Sequence, residues 1–395
     1  MLIRRRQFLM QSLLPLAGSM AAAQPAPAIR RIEAFAAPYA VTSYFRFFPK
    51  PERPTVLVKI ALEDGTVGWG QSVPIPTWSY ETPESTLSAI KLYLAPPLLG
   101  TNPLDIQGAH QKMNKAIAPS FSTGMPIAKA GIDLALHDLA GKLSGRSLPE
   151  LWGRSALPRI PLSWTVNVRD LSEVEPLVSE GRELGYKHFN LKVAPNPRFD
   201  IALARMVKKL APEGFLWADA NGGYDPATAL SVAPKFADAG VDVFEQPVAS
   251  NRLSAFRDLK QQGALPILMD EGVVSSTELV EFIRLGLLDG VAMKPARTAG
   301  LWDARRQVEI LEDAGLLFLG SGLTDPDVSL AASLQLYSAY GLKFPAALNG
   351  NQFLKGSLLK KPISIENGEA IVPSGPGLGV DVDESKLSFR GESGQ

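Results

Sequence analysis

The chain lacks cysteine altogether and has only three histidines among its 395 residues. Disulfides, thiol nucleophiles and thiolate metal sites are therefore excluded, and any metal must be bound by oxygen or by histidine nitrogen. An excess of charge is also missing, because 40 basic residues balance 40 acidic ones and no long block of one sign occurs. This balance argues against nucleic acid as a partner and favours a small molecule.

The first 23 residues are typical of an export signal rather than of a folded domain. They combine an arginine-rich start, an apolar middle too short to span a bilayer and a final run of small residues, in MLIRRRQFLMQSLLPLAGSMAAA. The pair Arg5 and Arg6 ahead of Gln-Phe-Leu resembles the twin-arginine signal, which exports folded proteins to the bacterial periplasm. We interpret residues 1–27 as this signal and a short tether, and expect a periplasmic protein with no membrane contact in the mature form. An uncleaved anchor or a chance basic end are the alternatives.

From about residue 156 the chain alternates short apolar runs with amphipathic segments. Eight runs are rich in β-forming residues: IPLSWTV, KHFNLKV, GFLWADA, VDVFEQP, LPILMDE, DGVAMKP, GLLFLGS and FPAALNG. The segments between them have apolar residues at spacings of three and four, as amphipathic helices do. The pattern predicts an α/β fold, a (β/α)8-type (TIM-like) barrel over residues 156–355.

The segments on either side of the barrel have other patterns. Residues 28–155 combine the β-rich RPTVLVKIALEDGTVGWG with helical runs such as PIAKAGIDLALHDLAGKL, which predicts an α+β capping domain. Residues 356–395 contain strand and turn patterns with too few apolar residues to fold alone. We expect this C-terminal tail to pack back onto the capping domain and complete it.

Charged residues stand at the ends of five consecutive runs. Lys192, Asp219, Glu245, Asp270 and Lys294 follow one another at spacings of 27, 26, 25 and 24 residues. A spacing of this size corresponds to one strand and one helix, so all five are expected at the rim where such barrels place their sites. Solvated loop charges that happen to follow strands are the alternative, but unrelated charges would not keep one phase through four units.

The three carboxylates offer only hard oxygen ligands. With no histidine or cysteine nearby in sequence, Asp219, Glu245 and Asp270 favour Mg²⁺, with Mn²⁺ as an alternative, over zinc or copper. A divalent cation would also offset the cost of burying three negative charges at strand ends. Without one, at least one carboxylate would be protonated or turned to water.

The two lysines end the second and sixth strands, which lie opposite each other in an eight-stranded barrel. A free lysine is a poor base, with a reference pKa of about 10.4, but desolvation and neighbouring positive charge make it a better one. Lys192 and Lys294 around a metal suit removal of the proton α to a carboxylate, because the metal can hold the enediolate charge that develops. One lysine takes the proton, and the other returns it or protonates a leaving group.

These motifs resemble the enolase superfamily, specifically its muconate lactonizing enzyme subgroup, over nearly all of residues 28–390. The resemblance is carried by ADAN at 218–221, FEQP at 244–247, MDE at 269–271, MKP at 293–295 and the closing PSGPGLGV. It implies that the three carboxylates bind magnesium, that the lysines form an acid/base pair, and that Asn221 and Glu271 support them. We expect a homo-oligomeric enzyme acting on a small-molecule carboxylate.

The sequence also departs from the family pattern. Asn190 replaces the first lysine of the usual Lys-x-Lys on the second strand, so a positive charge beside Lys192 is missing and we expect Lys192 to be a weaker base. The seventh strand ends in GSGLTDPD, which offers Thr324, Asp325 and Asp327 where a glutamate is usual. The eighth gives LNGN, without the Asp-x-Asp that is typical of dipeptide epimerases. The histidines, at 110, 137 and 188, lie away from the sixth and seventh strands, which argues against a mandelate racemase type histidine base.

The resemblance also implies that two loops of the capping domain touch the substrate. They are YAVTSYFRFFPK and VPIPTWSYE, with Tyr44, Arg46, Trp78 and Tyr80 as candidates beside Asp325; plain interdomain packing is the alternative for the aromatic residues. Racemisation or epimerisation needs both lysines as bases, whereas cycloisomerisation or dehydration needs one base and a β-leaving group. The sequence leaves these reactions open, together with a catalytically impaired binding protein on the same scaffold.

Overall fold

A three-stranded antiparallel sheet covered by one long helix forms the capping domain. The computed structural model describes residues 26–387, so the predicted signal at residues 1–23 lies outside the described residues. The strands of this part of the chain are β1 (Ile29–Ala36), β2 (Tyr39–Val41), β3 (Glu52–Arg53), β4 (Val56–Leu62) and β5 (Val67–Ser72), and the sheet has the order β1-β4-β5. The helices are α1 (Pro83–Ala89), α2 (Ile106–Ala116), α3 (Pro126–Ser144) and α4 (Leu148–Leu151), with a π-helical turn at Ile90–Leu94 and a 3-10 turn at Pro96–Leu98.

Helix α3 packs directly on the sheet because glycines face each other at the contact. A Cβ atom built on Gly70 of β5 would lie 1.9 Å from the carbonyl oxygen of Gly131 in α3, so no larger residue fits there. The helix is buried along almost its whole length and ends at Gly145, whose φ of 65° suits glycine. The predicted α+β layer is therefore present.

Seven parallel strands form the barrel, in the order β7 to β13. Its strands, with the short β6 that precedes them, are β6 (Arg159–Pro161), β7 (Ser163–Val166), β8 (His188–Lys192), β9 (Leu216–Asp219), β10 (Val243–Glu245), β11 (Ile267–Met269), β12 (Gly290–Met293) and β13 (Leu317–Gly320). Its helices are α5 (Val174–Glu183), α6 (Pro197–Leu210), α7 (Pro226–Asp238), α8 (Leu253–Gln262), α9 (Ser276–Arg284), α10 (Leu301–Ala314) and α11 (Asp327–Ala339), with a 3-10 turn at Leu171–Glu173 before α5.

The eighth predicted strand, FPAALNG, does not form. Within this run, Ala346 and Ala347 each make one isolated parallel bridge, to Leu162 and Ser321 respectively. Pro345, which has no backbone N–H, precedes this pair and limits the run of pairing. The two bridges nevertheless close the gap between the first and last barrel strands, so the predicted barrel architecture is confirmed with seven regular strands.

The C-terminal tail contacts both parts of the molecule. It follows α12 (Gly350–Phe353) and β14 (Leu354–Lys355), and contains β15 (Ile365–Glu366), β16 (Glu369–Ile371) and a 3-10 turn at Glu384–Lys386. Strand β16 pairs in antiparallel fashion with β6, which precedes the first barrel strand. Leu378 then donates its backbone N–H to Asp138 of α3, at 3.0 Å, which fastens the tail to the capping domain. No helix within residues 26–387 has both the length and the apolar character needed to cross a membrane.

Side-chain alternation sets what the barrel presents at its mouth. Six apolar residues fill the interior layer: Trp217, Val243, Leu268, Ala292, Leu319 and Ala347. Because strand side chains alternate between faces, the residue two positions further on faces the same interior. Asp219, Glu245, Asp270 and Lys294 each follow a member of this layer by two positions, so the fold directs them into the barrel at its C-terminal rim.

Candidate active site

The structure places all five predicted strand-end residues at one rim of the barrel. Lys192 of β8 is the register partner of Asp219 on β9, which in turn pairs with Glu245 on β10. Asp270 and Lys294 directly follow β11 and β12. The three carboxylates and Lys294 are each at most 3% exposed. They therefore form a buried cluster of charges, and not a set of solvated loop residues.

Each outer carboxylate of the cluster is bound by a cationic side chain. The Lys192 ammonium donates to Asp219, and the Lys294 ammonium donates to Asp270 and lies 3.8 Å from Oε1 of Glu245. Arg297 also donates to Asp270, and its other nitrogens donate to backbone carbonyls. Sequence reasoning missed Arg297; its position three residues after Lys294, in MKPAR, was the available signal.

The central carboxylate of the cluster, Glu245, is nevertheless not fully neutralised by positive charge. Oε1 of Glu245 is buried and accepts no hydrogen bond. Burial, and then the neighbouring Asp219, raises the pKa of Glu245 to about 7 against the opposing effect of the lysines. The same two causes raise the pKa of the predicted supporting residue Glu271 to about 8. A further cation would stabilise both carboxylates in their ionised forms.

The donor set fits a hard divalent cation in its chemistry. Asp219, Glu245 and Asp270 supply only carboxylate oxygens from the ends of three adjacent strands, and Oε1 of Glu245 accepts no hydrogen bond. As the side chains stand, no three acidic or histidine residues of the described chain 26–387 are grouped so as to share a metal ion. Asp219 accepts from Lys192, and Asp270 accepts from Lys294 and Arg297. A metal ion that took oxygens from these two carboxylates would compete with those ammonium and guanidinium groups.

Two residues in strained backbone conformations support the metal-ligand candidates, Asn221 through the carboxylate of Asp219 and Gln246 through the backbone of Asp270. Asn221, at φ 44°, donates its backbone N–H to Oδ1 of Asp219 at 2.9 Å and its side-chain amide to Oδ2 at 3.1 Å. Gln246, at φ 37°, accepts the backbone N–H of Asp270 at 2.9 Å. Such conformations cost about 1–3 kcal/mol each and persist where surrounding contacts enforce them. Asn221 was predicted as a supporting residue, and Gln246 was not.

Apolar residues of the two cap loops form one wall of the pocket above the cluster. Phe45, Phe47, Ile75 and Trp78 face Lys192 and Lys294 together with Asn190, Asn221 and residues from the ends of the seventh and eighth barrel positions. The Lys294 ammonium lies 4.6 Å from the centre of the Trp78 ring, within range of a cation–π interaction. Of the predicted substrate-binding residues, Trp78 therefore lines the pocket.

The other four predicted substrate-binding residues lie outside this lining. Tyr44 is 49% exposed and Tyr80 is 62% exposed. Asp325 is buried and accepts the backbone N–H of Leu323 at 3.1 Å. The guanidinium of Arg46 donates to the carbonyl oxygens of Lys192 at 3.1 Å and Val193 at 2.9 Å. Arg46 is therefore placed as a latch between the cap loop and β8.

Phe45, Phe47 and Ile75 were missed from sequence, because these loops have no periodicity that indicates which side chains point inward. The histidines lie elsewhere, as expected. His110 and His137 contact Asp133 within the capping domain. His188 begins β8, at the opposite end from the site, and accepts the backbone N–H of Phe215 at 3.1 Å.

Comparison with known proteins agrees with this arrangement. Residues 46–153 match the family model "Mandelate racemase / muconate lactonizing enzyme, N-terminal domain", and residues 173–386 match "Enolase C-terminal domain-like". A chloromuconate cycloisomerase of Pseudomonas putida is 30% identical over 328 residues, which cover 81% of this chain and 86% of that protein. A muconate cycloisomerase 1 of Acinetobacter baylyi is 31% identical, over 84% of this chain and 90% of that protein.

Solved structures show the same likeness in three dimensions. The muconate lactonizing enzyme of Pseudomonas fluorescens in complex with muconolactone has a TM-score of 0.85 and 26% identity, covering 92% of this chain and 99% of that one. The 2-chloromuconate cycloisomerase of Rhodococcus opacus has a TM-score of 0.83 and 28% identity, covering 91% and 98%. The chain therefore belongs to the mandelate racemase/muconate lactonizing enzyme family, and it is an enzyme of the enolase superfamily in the muconate lactonizing subgroup.

Proposed function

We propose that this enzyme removes the proton α to a substrate carboxylate and thereby catalyses a cycloisomerisation, a racemisation or an epimerisation. The observation that carries the proposal is the pair of lysines. Lys192 ends the second of the seven barrel strands and Lys294 directly follows the sixth, and both line one pocket above three buried carboxylates. A protein that only binds a ligand has little use for two ammonium groups on opposite sides of one site.

Asp219, Glu245 and Asp270 are the residues proposed to hold Mg²⁺, or Mn²⁺ in its place. When bound there, the cation would neutralise negative charge that grows on the substrate carboxylate as its α-proton leaves. Binding would also draw Asp219 and Asp270 away from the ammonium groups. Each lysine would then be free to accept or return a proton at the substrate α-carbon.

The cap loops contribute by excluding water. Phe45, Phe47 and Trp78 line the pocket, and Phe45 stacks on Phe353 at 4.5 Å between ring centres. An apolar cover strengthens the electrostatic interactions beneath it and protects a carbanion-like species from bulk solvent. The relatives named as muconate and chloromuconate cycloisomerases make ring closure a specific candidate for the reaction.

The proposal can be tested without knowing the product. The protein would be incubated with Mg²⁺ in heavy water with cis,cis-muconate, N-acylated amino acids, dipeptides, betaines and hydroxy acids, and mass shifts would be read. Deuterium uptake with inversion indicates a racemase or epimerase, ring closure a cycloisomerase, and loss of water a dehydratase of the same superfamily. A parallel incubation with a chelator identifies turnover that depends on the metal.

We expect at least one carboxylate to exchange or to react in a metal-dependent way. If no carboxylate exchanges or reacts while Mg²⁺ still binds, the proposal fails, and a binding protein on this scaffold is the better interpretation.

A further inference from the structure

A buried tyrosine of helix α11 reaches the ends of two barrel strands. The side chain of Tyr337 is fully buried. Its hydroxyl oxygen lies 2.5 Å from the carbonyl oxygen of Met293, the last residue of β12, and 2.5 Å from that of Ser321, which directly follows β13. The same hydroxyl oxygen accepts the backbone N–H of Ser321 at 3.2 Å. One side chain therefore contacts the backbone of both strands where they reach the rim of the site.

The hydroxyl keeps the proton that it needs to donate to these carbonyls. Burial, and then the neighbouring Asp325, raises the pKa of Tyr337 above its ordinary value of about 10, so the phenol is neutral at physiological pH. The Met293 carbonyl already accepts the backbone N–H of Ser321 at 2.9 Å. The tyrosine hydroxyl therefore adds a bond at the point where the regular pairing of β12 and β13 ends.

Close packing fixes the ring that carries this hydroxyl. A Cβ atom built on Gly320, the last residue of β13, would lie 2.9 Å from two ring carbons of Tyr337. The ring of Phe318 lies 5.7 Å away between centres. Because a protein interior is close-packed, the ring has little room to shift. The hydroxyl is therefore presented at a fixed point beside the two strand ends.

The Met293 carbonyl is directly linked to Lys294. This oxygen belongs to the peptide group whose nitrogen is the backbone nitrogen of Lys294, and peptide groups are planar. A bond that fixes the oxygen therefore also fixes the direction in which the Lys294 side chain leaves the strand. Ser321 lines the same pocket as Lys294. Lys192 lies on β8, which three strands separate from β12 in the sheet, so the bond concerns one lysine of the pair.

We propose that Tyr337 is a positioning residue that sets the reach of Lys294 towards the substrate α-carbon and leaves Lys192 unaffected. The inference rests on the proposed function for the chemistry of Lys294. It adds that proton transfer on one face of the α-carbon depends on a hydroxyl outside the pocket lining.

The experiment follows α-proton exchange of each enantiomer separately, in heavy water with Mg²⁺. The probes are both enantiomers of the N-acylated amino acids and hydroxy acids named above, and the variants Lys192→Ala and Lys294→Ala identify which enantiomer each lysine serves. Tyr337→Phe keeps the ring and removes the hydroxyl. Exchange of the enantiomer served by Lys294 is expected to fall about 10- to 100-fold, because a displacement of about 1 Å costs a comparable factor in rate. Exchange of the other enantiomer should change little.

The ratio of the two exchange rates separates positioning from folding, since a smaller folded fraction lowers both rates equally. The control is Tyr340→Phe, because Tyr340 directly follows the same helix and is nearly buried, but its hydroxyl donates to Glu309. This variant should keep the wild-type ratio. Gly320→Ala is a second test variant, which retains the hydroxyl but pushes the Tyr337 ring from its place, and it should shift the ratio in the same direction as Tyr337→Phe.

Hydrogen exchange at the backbone N–H of Ser321 is a readout that needs no substrate. It should become faster in Tyr337→Phe and stay unchanged in Tyr340→Phe. Equal losses for both enantiomers, or a wild-type ratio in Tyr337→Phe, overturn the inference and leave α-proton removal standing. If no probe exchanges in the wild type, the proposed function fails for these probes, and the Ser321 amide then decides: faster exchange in Tyr337→Phe supports the inference, and unchanged exchange overturns it.

Discussion

Arg46 is an informative position to change, because sequence and structure assign it different roles. The sequence suggests a substrate contact, whereas the structure shows its guanidinium donating to the carbonyls of Lys192 and Val193, with Nε 3.3 Å from Oδ1 of Asn167. These bonds join cap-loop residues 42–50 to the end of β8. We predict that Arg46→Met, which keeps most of the apolar stem, loosens this loop over the pocket.

The size of the effect follows from the two best hydrogen bonds, at 2.9 Å and 3.1 Å. A hydrogen bond to a charged group contributes about 1.5–3 kcal/mol net when it is well shielded. Arg46 is only half-buried, and solvent screening lowers that contribution. We therefore expect Arg46→Met to remove about 2 kcal/mol of the free energy that holds the loop closed. This corresponds to about a 30-fold fall in the population of the closed loop.

Steady-state kinetics on a monocarboxylate and a dicarboxylate substrate separates the two roles. A latch affects both substrates, so kcat/KM should fall by a similar factor of about 10 to 30 for each, and proteolytic cleavage within residues 42–50 should become faster. Arg169→Met is the matched control. Arg169 lies 4.6 Å from the ring of Tyr44, which belongs to the same cap loop as Arg46, but Arg169 does not contact the β8 carbonyls. A loss confined to the dicarboxylate, or unchanged kinetics and proteolysis, would refute the latch.

Three further predictions concern the metal, the capping domain and export. Glu245→Gln should weaken Mg²⁺ binding strongly in calorimetry, and wild-type affinity should rise as pH increases through about 7, because burial raises the pKa of Glu245 to about 7 and the ion must displace that proton; equal affinity at pH 6 and pH 8 argues against this. Burial also raises the pKa of Glu81, which accepts the first N–H groups of α3, from 4.5 to about 7. The folded state therefore holds this proton more tightly than the unfolded state. As pH rises from 4.5 to 7, the unfolding free energy of the wild type should fall by up to about 3 kcal/mol, whereas that of Glu81→Gln should stay nearly constant. Urea titrations at several pH values would show this difference. Replacing Arg5 and Arg6 by lysine should leave the protein in the cytoplasm, and undiminished periplasmic delivery in cell fractions would contradict the twin-arginine interpretation.

Periodicity explains why the barrel could be predicted from sequence. A strand of three to five residues followed by an amphipathic helix repeats every 24 to 27 residues here, and the position two residues after each interior apolar residue faces the interior by simple alternation. The charged residues at those positions could therefore be brought together without a structure. The absence of a regular eighth strand could not be predicted, because FPAALNG has the composition of a strand and differs only in how few of its residues pair.

The cap side of the site could not be predicted in the same way. Its loops have no repeating pattern, so the inward-facing Phe45, Phe47 and Ile75 look no different in sequence from the exposed Tyr44 and Tyr80. The role of Arg46 depends on backbone carbonyls of a strand about 146 residues away, and no side-chain pattern marks a carbonyl. Arg297 and Gln246 act on Asp270 through tertiary contacts that follow only from the packed barrel.

The most direct test of the central claim is exchange of the α-proton, resolved by enantiomer, in variants of the two lysines. With a responsive substrate in heavy water, Lys192→Ala and Lys294→Ala should each abolish net turnover, and each should retain exchange of only one enantiomer, because the remaining lysine reaches one face of the α-carbon. Lys187→Ala, which removes an exposed lysine at the opposite end of β8, serves as the control and should match wild type. Full exchange of both enantiomers in either lysine variant would contradict the assignment of this pair as the acid and base of the reaction.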